Sequence, residues 1–197
     1  METDPRQTHR PALEALGLRE PEVGRLAAYL ELLAAWNARV NLTGARTAAA
    51  RVDLLVAPVL PVAALPAPGR LLDVGSGNGS PGLVLALLRG DLEVTLLEPR
   101  ARRWAFLREA VRRTGSRGTR VLRLRHDQSR EAPAPTVTVR GLALPLAGLL
   151  PLVAPGGRVL VFGKERPGPH PLVLEEERDL GRGRLRVFRR PPVSRET

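Results

Sequence analysis

Residues 71–79 read Leu71-Leu72-Asp73-Val74-Gly75-Ser76-Gly77-Asn78-Gly79, an apolar strand that runs into glycines at alternate positions. A chain that must turn tightly, and bring its backbone against a ligand, needs residues without a Cβ at such a place. An apolar helical pattern follows at Pro81–Leu88 and stops at Gly90. Strand, glycine turn and helix in that order point to an open parallel sheet. Its ligand site lies beyond the carboxyl ends of the strands, where the strand order reverses.

The pattern repeats downstream. Glu93–Leu97 reads as a strand ending at Glu98, and Ala101–Arg113 as an amphipathic helix carrying Trp104, Phe106, Leu107 and Val111, closed by Gly115. Thr119–Leu124 and Thr136–Val139 are further strands, and Gly141–Val153 is helical in pattern despite Pro145 and Pro151. Pro155-Gly156-Gly157 turns into a fifth strand, Arg158–Phe162, and residues 184–188 supply a last one. Alternation of this kind predicts an α/β, Rossmann-like fold, a mostly parallel sheet with helices on both faces.

Upstream, Glu22–Arg39 places Val23, Leu26, Ala27, Leu30, Leu33 and Ala34 on one helical face, with Trp36 near its end. Asn41-Leu42-Thr43-Gly44 offers turn and capping residues, and the apolar stretch Val52–Ala64 gives way to Pro66 and Pro68. Residues 1–20 read as a loose N-terminus. The expected organisation is a tail and helical lead-in over residues 1–66, packed on a main domain over residues 67–197, as one structural domain.

Composition narrows the function. The 197 residues include no cysteine, so disulfides, thiolate catalysis and cysteine-based metal sites are excluded, and no metal is expected. The formal charge of +11 points to an anionic partner, nucleic acid first. Lys164 is the only lysine, so part of this arginine excess also fits the coding bias of a GC-rich genome. Prolines break the longest apolar stretches, Val52–Leu65 and Leu142–Ala154, short of the ~20 residues of a membrane span. A cytoplasmic monomer with no membrane segment is expected.

Two ligands suit the glycine turn. Gly77-x-Gly79-x-x-Gly82 satisfies the dinucleotide pattern, in which a pyrophosphate sits on a helix N-terminus. Asp73 tips the balance, because a carboxylate facing the ligand repels a pyrophosphate but suits the ammonium and sulfonium of S-adenosylmethionine. Glu98 can accept hydrogen bonds from both ribose hydroxyls of either nucleoside. A nicotinamide-dependent oxidoreductase is the weaker alternative, since no Tyr-x-x-x-Lys pair is present.

Several segments together resemble the bacterial small-subunit ribosomal RNA guanine-N7 methyltransferases, the RsmG (GidB) family. They are Trp36-Asn37-x-x-x-Asn41-Leu42-Thr43, Asp73 to Gly82 with its Ser80-Pro81-Gly82, Thr95-Leu96-Leu97-Glu98, Arg102-Arg103-Trp104-x-Phe106-Leu107-Arg108, Val139-Arg140-Gly141-Leu142-Ala143 and Pro155-Gly156-Gly157-Arg158. The likeness spans about residues 22–165. It implies a class I methyltransferase fold, S-adenosyl-L-methionine as cofactor, and ribosomal RNA or the small subunit as partner. Cofactor contacts are implied at Gly75 and Ser80, at His126-Asp127 and at Arg140, beside Asp73, Ser76, Gly77, Gly79 and Glu98 of the turn and second strand. Arg140 is the candidate catalytic residue beside the target base, its bland alternative being an ion pair with a carboxylate such as Asp73.

The chain departs from the family at identifiable places. The usual Arg-His-x-x-Asp-Ser segment reads Arg51-Val52-Asp53-Leu54-Leu55 in a shorter region without histidine. The usual Leu-Lys-Gly reads Phe162-Gly163-Lys164, and Ser80 replaces a bulky apolar residue. A methyltransferase fold with a changed substrate, or one that binds RNA or cofactor without turnover, is the second reading.

Overall fold

In the computed structural model, which describes residues 9–142, 144–163, 168–181 and 183–192, Leu71–Val74 lies in β1 (Gly69–Val74) of a seven-stranded sheet. The other strands are β2 (Leu92–Leu97), β3 (Thr119–Leu122), β4 (Ala134–Arg140), β5 (Val153–Gly163), β6 (Val173–Asp179) and β7 (Arg184–Arg189). Their order is β3-β2-β1-β4-β5-β7-β6. β1 to β5 run parallel, while β7 is antiparallel to both β5 and β6. The order reverses between β1 and β4, whose ends therefore flank the switch point. Ala143 and Lys164, quoted above, lie outside the described residues.

Alternate residues of β1 point to opposite faces. Leu71 joins Val94 and Leu96 beneath α2 (Glu22–Val40), α3 (Ala48–Leu55), α4 (Gly82–Leu88) and α5 (Ala101–Thr114). Tyr29, Leu33, Phe106 and Leu107 fill that layer, and the Trp36 ring meets Phe106 edge-on at 5.8 Å. Leu72 and Val74 face the other way, with Val137 and Val139. There the cover consists of short 3-10 turns at His126–Gln128 and Leu146–Leu152. Among the described residues, helical segments thus cover both faces and α-helices one of them.

Three local readings change. Gly141–Val153 does not form an α-helix, because Pro145 and Pro151 lack the N–H a helical ladder needs, and only a 3-10 turn forms over Leu146–Leu152. β6 escaped the pattern because Glu175-Glu176-Glu177-Arg178-Asp179 has no apolar alternation. It is an edge strand, where charge is tolerated. The N-terminus is not loose from residue 9 onward. Arg10–Glu14 form α1, Leu13 is fully buried, and buried His9 accepts at Nε2 from Nε of Arg51 at 3.0 Å. Leu13 shares one apolar cluster with Leu26, Val52 and Leu71, so the lead-in and the sheet have a common core.

Candidate active site

Gly75, Gly77 and Gly79 adopt φ of +69°, +53° and +98°, the left-handed region that side chains resist. The turn they make forms the floor of a cavity of about 630 Å³ at the carboxyl ends of β1, β2 and β4. That volume falls within the ~300–1,000 Å³ of pockets that enclose a whole small ligand. Its walls are the 42–44 turn, the segment 97–100 after β2, the segment 124–126 and Arg140 to Leu142.

The upstream wall is built by one asparagine. α2 ends at Asn41, which takes a left-handed conformation (φ 50°) as its C-cap. Asn37, one turn back, accepts at Oδ1 from the amides of Leu42 (2.7 Å) and Thr43 (2.8 Å), and donates from Nδ2 to the Thr43 carbonyl (2.9 Å). Asn78 then donates to the Leu42 carbonyl at 3.2 Å, and buried Tyr29 donates to the Asn78 carbonyl at 2.8 Å. The Trp-Asn and Asn-Leu-Thr runs therefore lock the 42–44 turn onto the glycine turn. Nothing in sequence spacing reveals that job for Asn37 or Tyr29.

Glu98 is 3% exposed and lies on the cavity wall. Its Oε2 accepts from the Gly77 amide at 3.0 Å and its Oε1 from the Arg100 amide at 2.8 Å. Each bond fixes one oxygen and leaves further lone pairs, since a carboxylate has about four acceptor sites.

Asp73 sits elsewhere than the charge argument placed it. It is 1% exposed and does not line the cavity, because its position in β1 turns it toward the helical face. There its Oδ1 accepts from the hydroxyl of Thr138, its register partner on β4, at 2.5 Å, and its Oδ2 is buried without a partner among the described residues. Burial raises its pKa from 3.8 to about 6, against the opposing pull of Thr138 and the positive field of Arg140. The carboxylate touches the start of α4 so closely that a Cβ on Gly82 would lie 2.5 Å from the Asp73 Cβ. The aspartate that precedes the glycines thus acts on the turn from below, and Gly82 is glycine to admit it.

Arg140, at the end of β4, is on the cavity wall and makes no ion pair with Asp73 or another carboxylate among the described residues. It donates from one terminal nitrogen to Ser80 Oγ (2.8 Å) and from the other to the Leu54 carbonyl (2.7 Å). Ser80, itself buried, donates onward to the Leu55 carbonyl at 2.7 Å. Burial pulls the Arg140 pKa below its usual value. Two of five guanidinium donors are used, so donors remain for a ligand.

The remaining expected residues divide. Gly75, Ser76, Gly77, Ser80 and His126 line the cavity, whereas Gly79 and Asp127 do not. A Cβ at Gly79 would come within 3.3 Å of Leu83 and Tyr29, so this glycine serves packing. Asp127 lies in the exposed 3-10 turn and pairs with Arg125 at 3.2 Å. Ser76 bonds the Asp73 carbonyl at 2.9 Å and closes the turn. Leu142 and Arg103 complete the wall.

The family model for rRNA small subunit methyltransferase G matches residues 22–166. The chain belongs to this family. A ribosomal RNA small subunit methyltransferase G of Halorhodospira halophila is 37% identical over 82% of this chain and 80% of its own length. The one from Rhodospirillum centenum is 42% identical over 77% and 71%. Among solved structures, a SAM-dependent methyltransferase from Aquifex aeolicus aligns over 71% of this chain and 91% of its own, with a TM-score of 0.55 at 18% identity. An RNA methyltransferase from Salinibacter ruber, in complex with S-adenosyl-L-homocysteine, aligns over 65% and 84%, with a TM-score of 0.53 at 19% identity. At these identities the structures establish the methyltransferase fold.

In this methyltransferase G family member, two contacts fall at the places where a departure from the family was expected. The shortened segment lacks its own histidine, yet a histidine does lie against Arg51, supplied by His9 from the N-terminus. Desolvation, then the Arg51 charge, lowers the His9 pKa to about 4, so the ring is neutral at pH 7. Ser80, expected to replace a bulky apolar residue, gives Arg140 a hydroxyl to hold.

Proposed function

We propose that this methyltransferase G family member moves a methyl group from S-adenosyl-L-methionine to N7 of a guanine in small-subunit ribosomal RNA, on the free RNA or the small subunit. The observation that carries this reading is the ligand-sized cavity over the glycine turn, with Glu98 on one wall and Arg140 on another. One copy of the chain supplies every wall, so a monomer suffices, and a ribosomal substrate puts the work in the cytoplasm.

The residues fit the cofactor. Bare backbone at Gly75 and Gly77 admits close approach, and Glu98 keeps acceptor sites for ribose hydroxyls after binding the Gly77 and Arg100 amides. Leu124 and His126 border the cavity beyond β3, where the base would lie, while Ser76 and Ser80 belong to the glycine turn. Bound there, S-adenosyl-L-methionine supplies an electrophilic methyl carbon on a positively charged sulfur.

The protein has little proton chemistry to do. Guanine N7 holds a free lone pair at neutral pH, so no general base is required. The work of the site is to orient the acceptor atom at near-attack distance and to exclude water. Arg140 suits the first task because a guanidinium matches the O6 edge of guanine, and its anchors on Ser80 and Leu54 fix where the remaining donors point. Mass-spectrometric mapping of ribosomal RNA from a strain lacking the gene tests the reading. Loss of a single 7-methylguanosine from the small-subunit RNA is expected, and an unchanged nucleoside map overturns it.

A further inference from the structure

A second cavity, of about 130 Å³, shares Arg140 and Gly141 with the first and is otherwise bounded by Pro58, Phe162, Gly163 and residues of the β6–β7 turn and β7. It is too small for a whole cofactor, given the ~300–1,000 Å³ of whole-ligand pockets. Nothing in the cofactor reading uses it. We propose that this second cavity receives the target guanine base, extruded from the RNA, with Arg140 on its O6 and Arg184 at the mouth on the nucleotide's phosphate. The inference rests on the methyl-transfer reading and adds the acceptor subsite to it.

Adjacency comes first. Methyl transfer needs the acceptor atom beside the cofactor cavity, and Arg140 and Gly141 line both cavities. The chemistry of the walls comes second. Pro58, Phe162 and Leu180 offer apolar surface, and Gly163 adds no side chain, which suits a flat ring. Arg140 can donate to O6 while N7 is left unbonded, as an acceptor nitrogen must be. The third point is access. Arg184 pairs in register with Gly163 across β5 and β7, has a side chain 51% exposed, and is steadied by Glu177. It stands where the backbone of a nucleotide would pass once its base is inside. Enzymes that act on a base take it from the stack, and the cost is small in single-stranded or loop RNA.

Two substitutions test the subsite without touching the cofactor turn. A Cβ at Gly163 meets no described atom within 4 Å, so Gly163→Leu adds bulk at the edge of the cavity without a contact at its Cβ. It should lower kcat/KM for small subunits by about 100-fold while the dissociation constant for S-adenosyl-L-methionine, read by calorimetry, stays within about twofold. Arg184→Gln should raise KM for the RNA substrate by about tenfold and leave kcat nearly unchanged, as befits a phosphate contact. If wild type transfers methyl and both variants match it, the subsite is refuted and the activity stands. If wild type methylates no form of the RNA, both readings fall together.

Discussion

Arg140 and Ser80 meet at 2.8 Å although sixty positions separate them, and this contact ties the end of β4 to the glycine turn. Because Ser80 passes a bond to Leu55 and Arg140 another to Leu54, both side chains also grip the end of α3. The lead-in, the turn and the candidate catalytic arginine are joined at one point.

Arg140→Lys should keep the fold and most of the charge but lose the planar fork. Methyl transfer to small subunits should fall about 100-fold, equivalent to ~2.7 kcal/mol, while RNA affinity at two salt concentrations barely changes. Ser80→Ala should produce a weaker form of the same defect, since it removes one anchor and leaves the guanidinium in place. Equal turnover by all three proteins would strip Arg140 of a role in catalysis.

For Glu98→Ala, weaker binding of S-adenosyl-L-methionine by roughly 1–3 kcal/mol is expected, the cost of unpaired buried polar groups. The substitution also releases the amides of Gly77 and Arg100, so Glu98→Gln separates the two effects. Glutamine can still bond one amide and should lie between wild type and alanine. Calorimetry reads the series, and an unaltered affinity for Glu98→Ala would remove Glu98 from the cofactor wall.

The Gly82–Asp73 approach makes a stability prediction. Gly82→Ala puts a Cβ 2.6 Å from the Asp73 carboxylate oxygen, well inside contact distance. A loss of about 1–3 kcal/mol follows, the usual result of overpacking a closed core. Asp73→Ala in the same chain should recover only the share that belongs to the carboxyl group, because its own Cβ, 2.5 Å from the new one, remains, and the two sites couple. Additive losses in a denaturation cycle would place the strain elsewhere.

Asp73 also gives stability a pH dependence of known sign. Its folded pKa, about 6, exceeds the ordinary 3.8, so the folded chain favours the protonated carboxyl. That contribution is complete below 3.8 and is lost as pH rises through about 6, above which a buried charge remains. Asp73→Asn cannot titrate and can still accept from Thr138. Relative to wild type, the variant should therefore gain up to ~3 kcal/mol between pH 4 and pH 7.5. Parallel unfolding curves at the two pH values would show that Asp73 keeps an ordinary pKa.

Much of the fold was readable because its signals are local. The glycines mark positive φ, and the alternation from Leu71 to Leu97 marks buried parallel strands with a helix between them. What escaped depends on context. β6 is a strand because β7 offers it hydrogen bonds, although its own residues are charged. The segment after β4 has helical spacing, yet its prolines settle the outcome. In the site, Glu98 and the glycine turn were legible as residue types at the end of a strand. Asp73 was misplaced because its side chain follows the strand's two-residue period to the helical face. Asn37 and Tyr29 act through contacts that only the folded chain brings together.

The uneven cover of the sheet has a consequence in time. On the helical face, α2 and α5 pack through large buried side chains and should open only with the whole molecule. On the other face the cavity wall at Leu124, His126 and Leu144 borders short 3-10 turns, whose hydrogen-bond geometry is poorer. Local opening is easiest where buried contacts and ladder bonds are fewest. Amides around 126–128 and 146–152 should therefore exchange with solvent faster than those of α2 and α5, and should slow when a ligand fills the cavity. The side of the site that admits the ligand would then be the side that is able to breathe.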